Sequence, residues 1–209
     1  MTENIEIRKA DPPLNFRSKL TPLKKVDMII LHHMAHKSAD IQAVHNYHRS
    51  RTYISSSGKT GYWSGIGYNY FITFDGIIYE ARGLHVGAHT YGYISIGIGF
   101  QGDFQQQQIP DAQLIAGAAL CSKLMQDHSL TEKDIKKHKD LAASSCPGKN
   151  FRLKDLLQHI QTPIISTVNA LYCVKVGAFQ NKDMAERMKQ QLFLQDFRDA
   201  FIWTKYQRD

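Results

Sequence analysis

Hydrophobic positions along the chain fall into two kinds of pattern. Val26–His33, VDMIILHH, is continuous and apolar, as a strand covered on both faces would be. Ser95–Phe100 reads as another strand. Tyr68–Thr73 and Ile77–Glu80 are strand-like and flank Phe74-Asp75-Gly76, where Asp-Gly predicts a tight hairpin. Elsewhere the spacing is helical. Ile41, Val44 and His48 predict a helix capped by Ser38, and Leu114, Ala118, Cys121 and Met125 share a stripe of a longer helix opened by Pro110. Thr131 and Asp134 form a capping box before a short stretch ending at His138. Strands and helices interleave, so the predicted fold class is α/β, a sheet with helices packed on its faces.

Polar stretches divide this pattern. Arg49–Gly65, rich in Ser and Gly, reads as a surface loop. Gln161–Asn169, broken by Pro163, reads as a linker between residues 1–160 and 170–209. Beyond it lie a strand-like LYCVKVGAF, a helix capped by Asn181 with Met184, Met188 and Leu192 on one stripe, and a returning strand at Ala200–Thr204. That small C-terminal β-α-β segment, at about 40 residues, is near the size at which an isolated fold needs outside support.

Composition narrows the field. With 43% apolar and 22% charged residues among 209, the chain can bury a core and is not a disordered polypeptide. No apolar run approaches the roughly 18–20 residues of a bilayer span, so stable membrane insertion is not expected. The first residues lack the basic-then-apolar order of a secretory signal, so export by that route is not expected either. Cys121, Cys146 and Cys173 are too few for a disulfide framework and suit a reduced compartment or a metal role. The net charge of +7 favours a polyanionic surface, whether nucleic acid, anionic lipid or anionic wall polymer. Without a nucleic-acid reading motif or a longer basic run, nucleic acid is not the expected partner. Eleven of the 14 glycines lie between Gly58 and Gly102, marking a region of turns and close backbone approaches.

Three residues carry candidate chemistry. His32 ends the first buried strand, while His138 and Cys146 stand far downstream, with Pro147 directly after the cysteine. A catalytic zinc takes three protein ligands, imidazole and thiolate among them, and leaves a fourth position open for water. A histidine leaving an apolar strand delivers its ring to the sheet rim, where clefts form. At this point His33, His36 and His128 remain equally open as satisfied or surface groups, as do the three themselves.

Four blocks in order, IILHHMA, GIGYNYFITFDGIIYEAR, GAHTYGYISIGIGFQGDF and HKDLAASSCPGKNF, change that. Over residues 24–157 the chain resembles the zinc-dependent N-acetylmuramoyl-L-alanine amidases of the amidase-2 type, a group that includes phage lysozyme-amidases and peptidoglycan recognition proteins. The resemblance implies a mixed central β-sheet flanked by helices, with a wall-binding groove and a metal at its floor. It places the zinc ligands on His32, His138 and Cys146, with His33 sent to the opposite face by the strand pleat. It puts Tyr68 at the family's catalytic tyrosine, able to donate to a developing oxyanion. Ser144 falls where relatives carry a lysine or threonine that steadies the intermediate, although a backbone cap is an equal reading for it. His89 matches a histidine lining the substrate groove. His48 matches a helix position read as packing, and Cys121 reads as a buried apolar residue. Many relatives carry a glutamate, a candidate general base, where this chain has Gly99, which leaves the proton acceptor open, with Asp103 nearby in sequence.

The activity so implied is zinc-assisted hydrolysis of the amide between N-acetylmuramic acid and L-alanine, in a wall-lysing endolysin or autolysin made in the cytoplasm and released to the wall. A non-catalytic module binding muropeptides in the same groove is the alternative, and an intact Cys146 favours the enzyme. VKVGAFQNKDMAERMKQQLFLQ resembles the opening of a SPOR domain, a small module that binds peptidoglycan glycan strands. A complete module is nearly twice this length, so the tail would lack a partner surface, and residues 170–209 are expected to bind wall, to form a homodimer or to pack on their own catalytic domain.

Overall fold

A computed structural model describes residues 5–54, 57–92, 94–161 and 181–194. The chain divides into two units, Met1–Ile164 and Ile165–Asp209. In the first, a six-stranded sheet is built from β1 (Ile7–Lys9), β2 (Met28–His33), β5 (Tyr70–Ile72), β6 (Ile78–Glu80), β7 (Ser95–Phe100) and β8 (Ile135–Lys137), in the order β1-β6-β5-β7-β2-β8. Only the β5–β6 hairpin pairs antiparallel; the other neighbours run parallel, so the sheet is mixed. The predicted fold class holds.

Alternation along the central strands sorts the two faces. Ile29 and Leu31 of β2 join Ile96, Ile98 and Phe100 of β7 against α2 (Asp111–His128) and α3 (Leu153–Gln161) in the main core. Leu114, Ala118 and Cys121 of α2 are buried there, as their spacing predicted, and Cys121 is a core residue. The opposite face carries Phe71 of β5, covered by Ile41 and Val44 of α1 (Ile41–Ser50) together with Ile66. On this side Gly97 and Gly99 of β7 contribute no side chains, and His89, Tyr68 and Met34 occupy the space above them.

Local details depart from the sequence reading. The cap of α1 is Asp40, whose carboxylate accepts from Ala43 N at 2.8 Å; Ser38 instead offers its carbonyl to Gln101. The stretch read as a surface loop contains a two-stranded hairpin, β3 (Thr52–Ile54) and β4 (Thr60–Tyr62). Its strands are exposed on both faces, so they carry no hydrophobic alternation to betray them. The short β1 and the helix α3 are further elements beyond those predicted. The capping box at Thr131 and Asp134 is present, Asp134 accepting from Thr131 N at 2.8 Å.

In the second unit α4 (Lys182–Leu194) is described, with Asn181 accepting from Asp183 N at 2.7 Å as an N-terminal cap. Gln161, the predicted start of the linker, ends α3; residues 162–169, the strand-like LYCVKVGAF, the return strand at 200–204 and Cys173 lie outside the described residues. Among the described residues no helix is long and apolar enough to cross a membrane.

Candidate metal centre

β2 delivers His32 almost wholly buried, opposite Gly99 of β7. Parallel to β2 on its other side, β8 ends directly before His138, which opens a 3-10 turn, His138–Asp140. Asp140 fixes that turn by accepting from Lys137 N at 2.9 Å. Cys146 arrives from a loop held on two sides. Its carbonyl accepts from Lys139 N at 2.8 Å, and its sulfur accepts from His33 N at 3.3 Å. Downstream, Gly148 has φ +103°, and a Cβ there would stand 2.4 Å from the Phe104 carbonyl carbon. Only glycine allows so close a backbone approach in that conformation. Asn150 N then donates to Phe104 O at 2.9 Å, closing the turn onto the segment after β7.

Three segments thus bring His32, His138 and Cys146 together, with one donor atom from each within 4.8 Å of the others. His32 and His138 have ring centroids 4.7 Å apart, and Cys146 Sγ lies 3.7 Å from His32 Nδ1. Bonds of about 2.05 Å to nitrogen and 2.3 Å to sulfur at tetrahedral angles separate such a pair by about 3.5 Å. The donor set therefore fits zinc in chemistry and spacing.

Electrostatics favour neutral ligands here. Burial, reinforced by the charges of His89 and His138, holds His32 well below the usual imidazole range, and burial lowers His138. Neutral imidazoles are the form that binds metal. Burial pushes the Cys146 thiol up to about 12, against the weaker pull of the His33 N–H. A buried thiolate needs a cation beside it, and a coordinated metal supplies one.

Tyr68 stands just before β5, its ring 5.1 Å from that of His32. Burial, with a smaller contribution from Cys146, raises its phenol above the ordinary value, so it stays a proton donor. His48 of α1 backs this tyrosine at 5.5 Å, touches Trp63 at 5.3 Å and accepts from Gly67 N at 3.0 Å. It is more than helix packing, because it fixes the loop leading into Tyr68. A Cβ at Gly99 would lie 2.6 Å from Met34 Cε and 2.8 Å from Tyr68 Cδ2. The tyrosine ring and Met34 therefore fill the space that a side chain at position 99 would need.

The remaining candidates divide. Ser144 is exposed, and its hydroxyl accepts from Cys146 N at 3.1 Å, the backbone-cap arrangement. His89 points its Nδ1 at His32 Nε2, 3.1 Å away. His33 turns to the other face, where its Nδ1 accepts from Phe104 N at 3.1 Å and lies 3.7 Å from Asp103 Oδ1. Asp103 also accepts from Gln105 N and Gln106 Nε2, so it belongs to that face and not to the donor cluster.

Sequence reasoning passed over Asn69. Wholly buried, it donates to the carbonyls of Gly83 and His85 at 2.6 and 2.7 Å and accepts from Gly97 N at 2.9 Å. It ties the segment leading to His89 onto β7. A polar amide inside the apolar run YNYFI was the signal available, since buried polar groups are retained where they are fully bonded.

An α/β protein with two imidazoles and a cysteine sulfur converging beside a mixed sheet carries a donor set that could hold a metal ion. The family model described as N-acetylmuramoyl-L-alanine amidase, amidase-2, matches residues 22–149, and the chain belongs to that family. Peptidoglycan-recognition protein SC2 of Drosophila simulans is 36% identical over 93 residues, 43% of this chain and 50% of that protein. The chain thus spans about half the length of such curated relatives. Among solved structures, the endolysin N-acetylmuramoyl-L-alanine amidase LysCS from Clostridium intestinale superposes with a TM-score of 0.65 at 27% identity, covering 77% of this chain and 99% of that one. Peptidoglycan recognition protein LE, solved with tracheal cytotoxin, gives a TM-score of 0.56 at 27% identity over 68% of this chain and 86% of its own.

Proposed function

We propose that this protein is a peptidoglycan hydrolase that cleaves the amide between N-acetylmuramic acid and the L-alanine of the stem peptide, with zinc held by His32, His138 and Cys146. The convergence of these three donors from three segments carries the reading, and the endolysin-like fold supports it. Bound zinc supplies a Lewis acid for the carbonyl and a water acidified from about 15.7 to about 7. The protein's own groups then do the rest. Buried neutral imidazoles and the Cys146 sulfur fix the ion. The Tyr68 phenol, kept protonated by burial, donates a hydrogen bond to the oxygen that gains charge during attack. Ser144 acts from the rim as a second donor, its proton free while its oxygen accepts from Cys146 N. The muropeptide binds over the donor cluster, and the +7 charge draws the protein to anionic wall polymers.

A binding-only role is the second reading, favoured by the recognition-protein relatives. Incubating the full chain with isolated walls, with and without a chelator, separates the two. Mass spectrometry is expected to find lactyl carboxylates and new L-alanine amino groups, both suppressed by chelation. Wall binding without either product would make the protein a recognition module.

A further inference from the structure

Neutral histidine carries its proton on one ring nitrogen, so a metal-binding histidine needs something to choose the tautomer. His32 turns Nδ1 towards Cys146 Sγ, at 3.7 Å, and Nε2 towards His89 Nδ1, at 3.1 Å. Their rings meet edge to face, 5.0 Å between centroids and 75° between planes. We propose that His89 is a positioning residue of the metal centre, whose Nδ1 accepts the Nε2–H of His32 and so leaves His32 Nδ1 as the nitrogen offered to the metal. This rests on the zinc reading above and assigns His89 a task beyond lining a groove.

Geometry around His89 fixes it for that task. Its ring hydrogen-bonds the main-chain carbonyl of Ser95. A carbonyl only accepts, so His89 donates there; with Nδ1 facing His32, its N–H falls to Nε2 and Nδ1 is left as acceptor. The Thr90 hydroxyl, 3.3 Å from the same Nδ1, lies beside this contact. The ring also occupies a slot cut by two glycines. A Cβ at Gly87 would stand 2.3 Å from His89 Cδ2, and one at Gly97 would stand 2.5 Å from it. Asn69 bonds Gly97 on one side and His85 on the other, locking strand and loop in register around the ring. The result is a relay from the Ser95 carbonyl through His89 to His32. Partners of this kind orient ligating imidazoles and raise their basicity, and their loss weakens metal binding by roughly 10–100-fold.

Three substitutions test it in the full chain: His89→Ala, His89→Asn and His89→Gln. The Asn amide oxygen can stand where Nδ1 stood, facing His32. The Gln amide reaches the Nε2 position, facing Ser95. Zinc affinity is measured by competition with a chromophoric chelator at neutral pH, with melting of the metal-free proteins recorded alongside. His89→Ala and His89→Gln are expected to bind zinc about 10–100-fold more weakly than the parent, while His89→Asn recovers most of the loss at similar melting temperatures. Parent-like zinc affinity in all three, or equal weakening by Asn and Gln, overturns the proposal. A rise in KM at unchanged zinc affinity would assign His89 to substrate instead. A parent protein that binds no zinc would defeat the hydrolase reading itself and this inference with it.

Discussion

Single side chains do separable jobs at this centre, and substitutions should separate them. His138 is half-buried and supplies a donor without holding up a strand. His138→Ala is expected to fold, lose its zinc and abolish wall lysis; metal analysis of the purified variant checks the first loss and product release the second. In the proposed scheme Tyr68 donates a hydrogen bond and binds no metal. Tyr68→Phe should keep its zinc and lose turnover by about 10²–10³, the usual effect of removing one oxyanion donor. Unchanged turnover would take the phenol out of the chemistry. Much of this was legible from residue order, because HH, GYN, GAH, HKD and CPG stand in blocks that carry the family resemblance. Partner choice was not. That His89 meets His32, or that Asp103 joins His33 across the sheet, depends on which face each side chain takes and on loop closure far along the chain.

Burial imposes a legible period on most elements, with α3 the exception: Leu153, Leu156, Leu157 and Ile160 pack on the core at helical spacing, yet the stretch is short and follows a loop. β2, β7 and α2 each place apolar residues in the core, and their sequences show it. The strands β3 and β4 are exposed apart from the half-buried Gly61, and β1 has only three residues, so neither leaves a pattern. Ser38 and Asp40 could each cap α1 by residue type; the geometry selects Asp40. The turn after Cys146 matters most to the site, because it couples the thiol to the backbone of Phe104. Gly148→Ala forces a Cβ into that backbone at positive φ. A loss of about 1–3 kcal/mol of stability is expected, read by denaturant unfolding, together with weaker zinc retention than the parent. A variant with parent-like stability and zinc would show the turn to be adaptable.

Across the whole molecule, histidine burial makes stability depend on pH. Burial lowers His32, His33 and His45, and brings His48 and His89 down to about 4. In the unfolded chain these groups titrate near 6.5. Above that value both states are neutral and stability is complete. As pH falls from about 6.5 towards 4 the unfolded chain takes up protons that the folded protein refuses, so stability drops through that window. Unfolding of the metal-free protein should show the decline, and His48→Gln should reduce its slope. A flat profile from 7 to 4 would mean that these rings are not buried neutral.

The most direct measurement is X-ray absorption at the zinc edge on the purified full chain. One sulfur scatterer at about 2.3 Å with nitrogen and oxygen neighbours at about 2.0–2.1 Å, the sulfur disappearing in Cys146→Ser, is the predicted result. A protein that takes up no zinc, or a zinc shell with no sulfur in it, would contradict the centre on which the hydrolase reading stands.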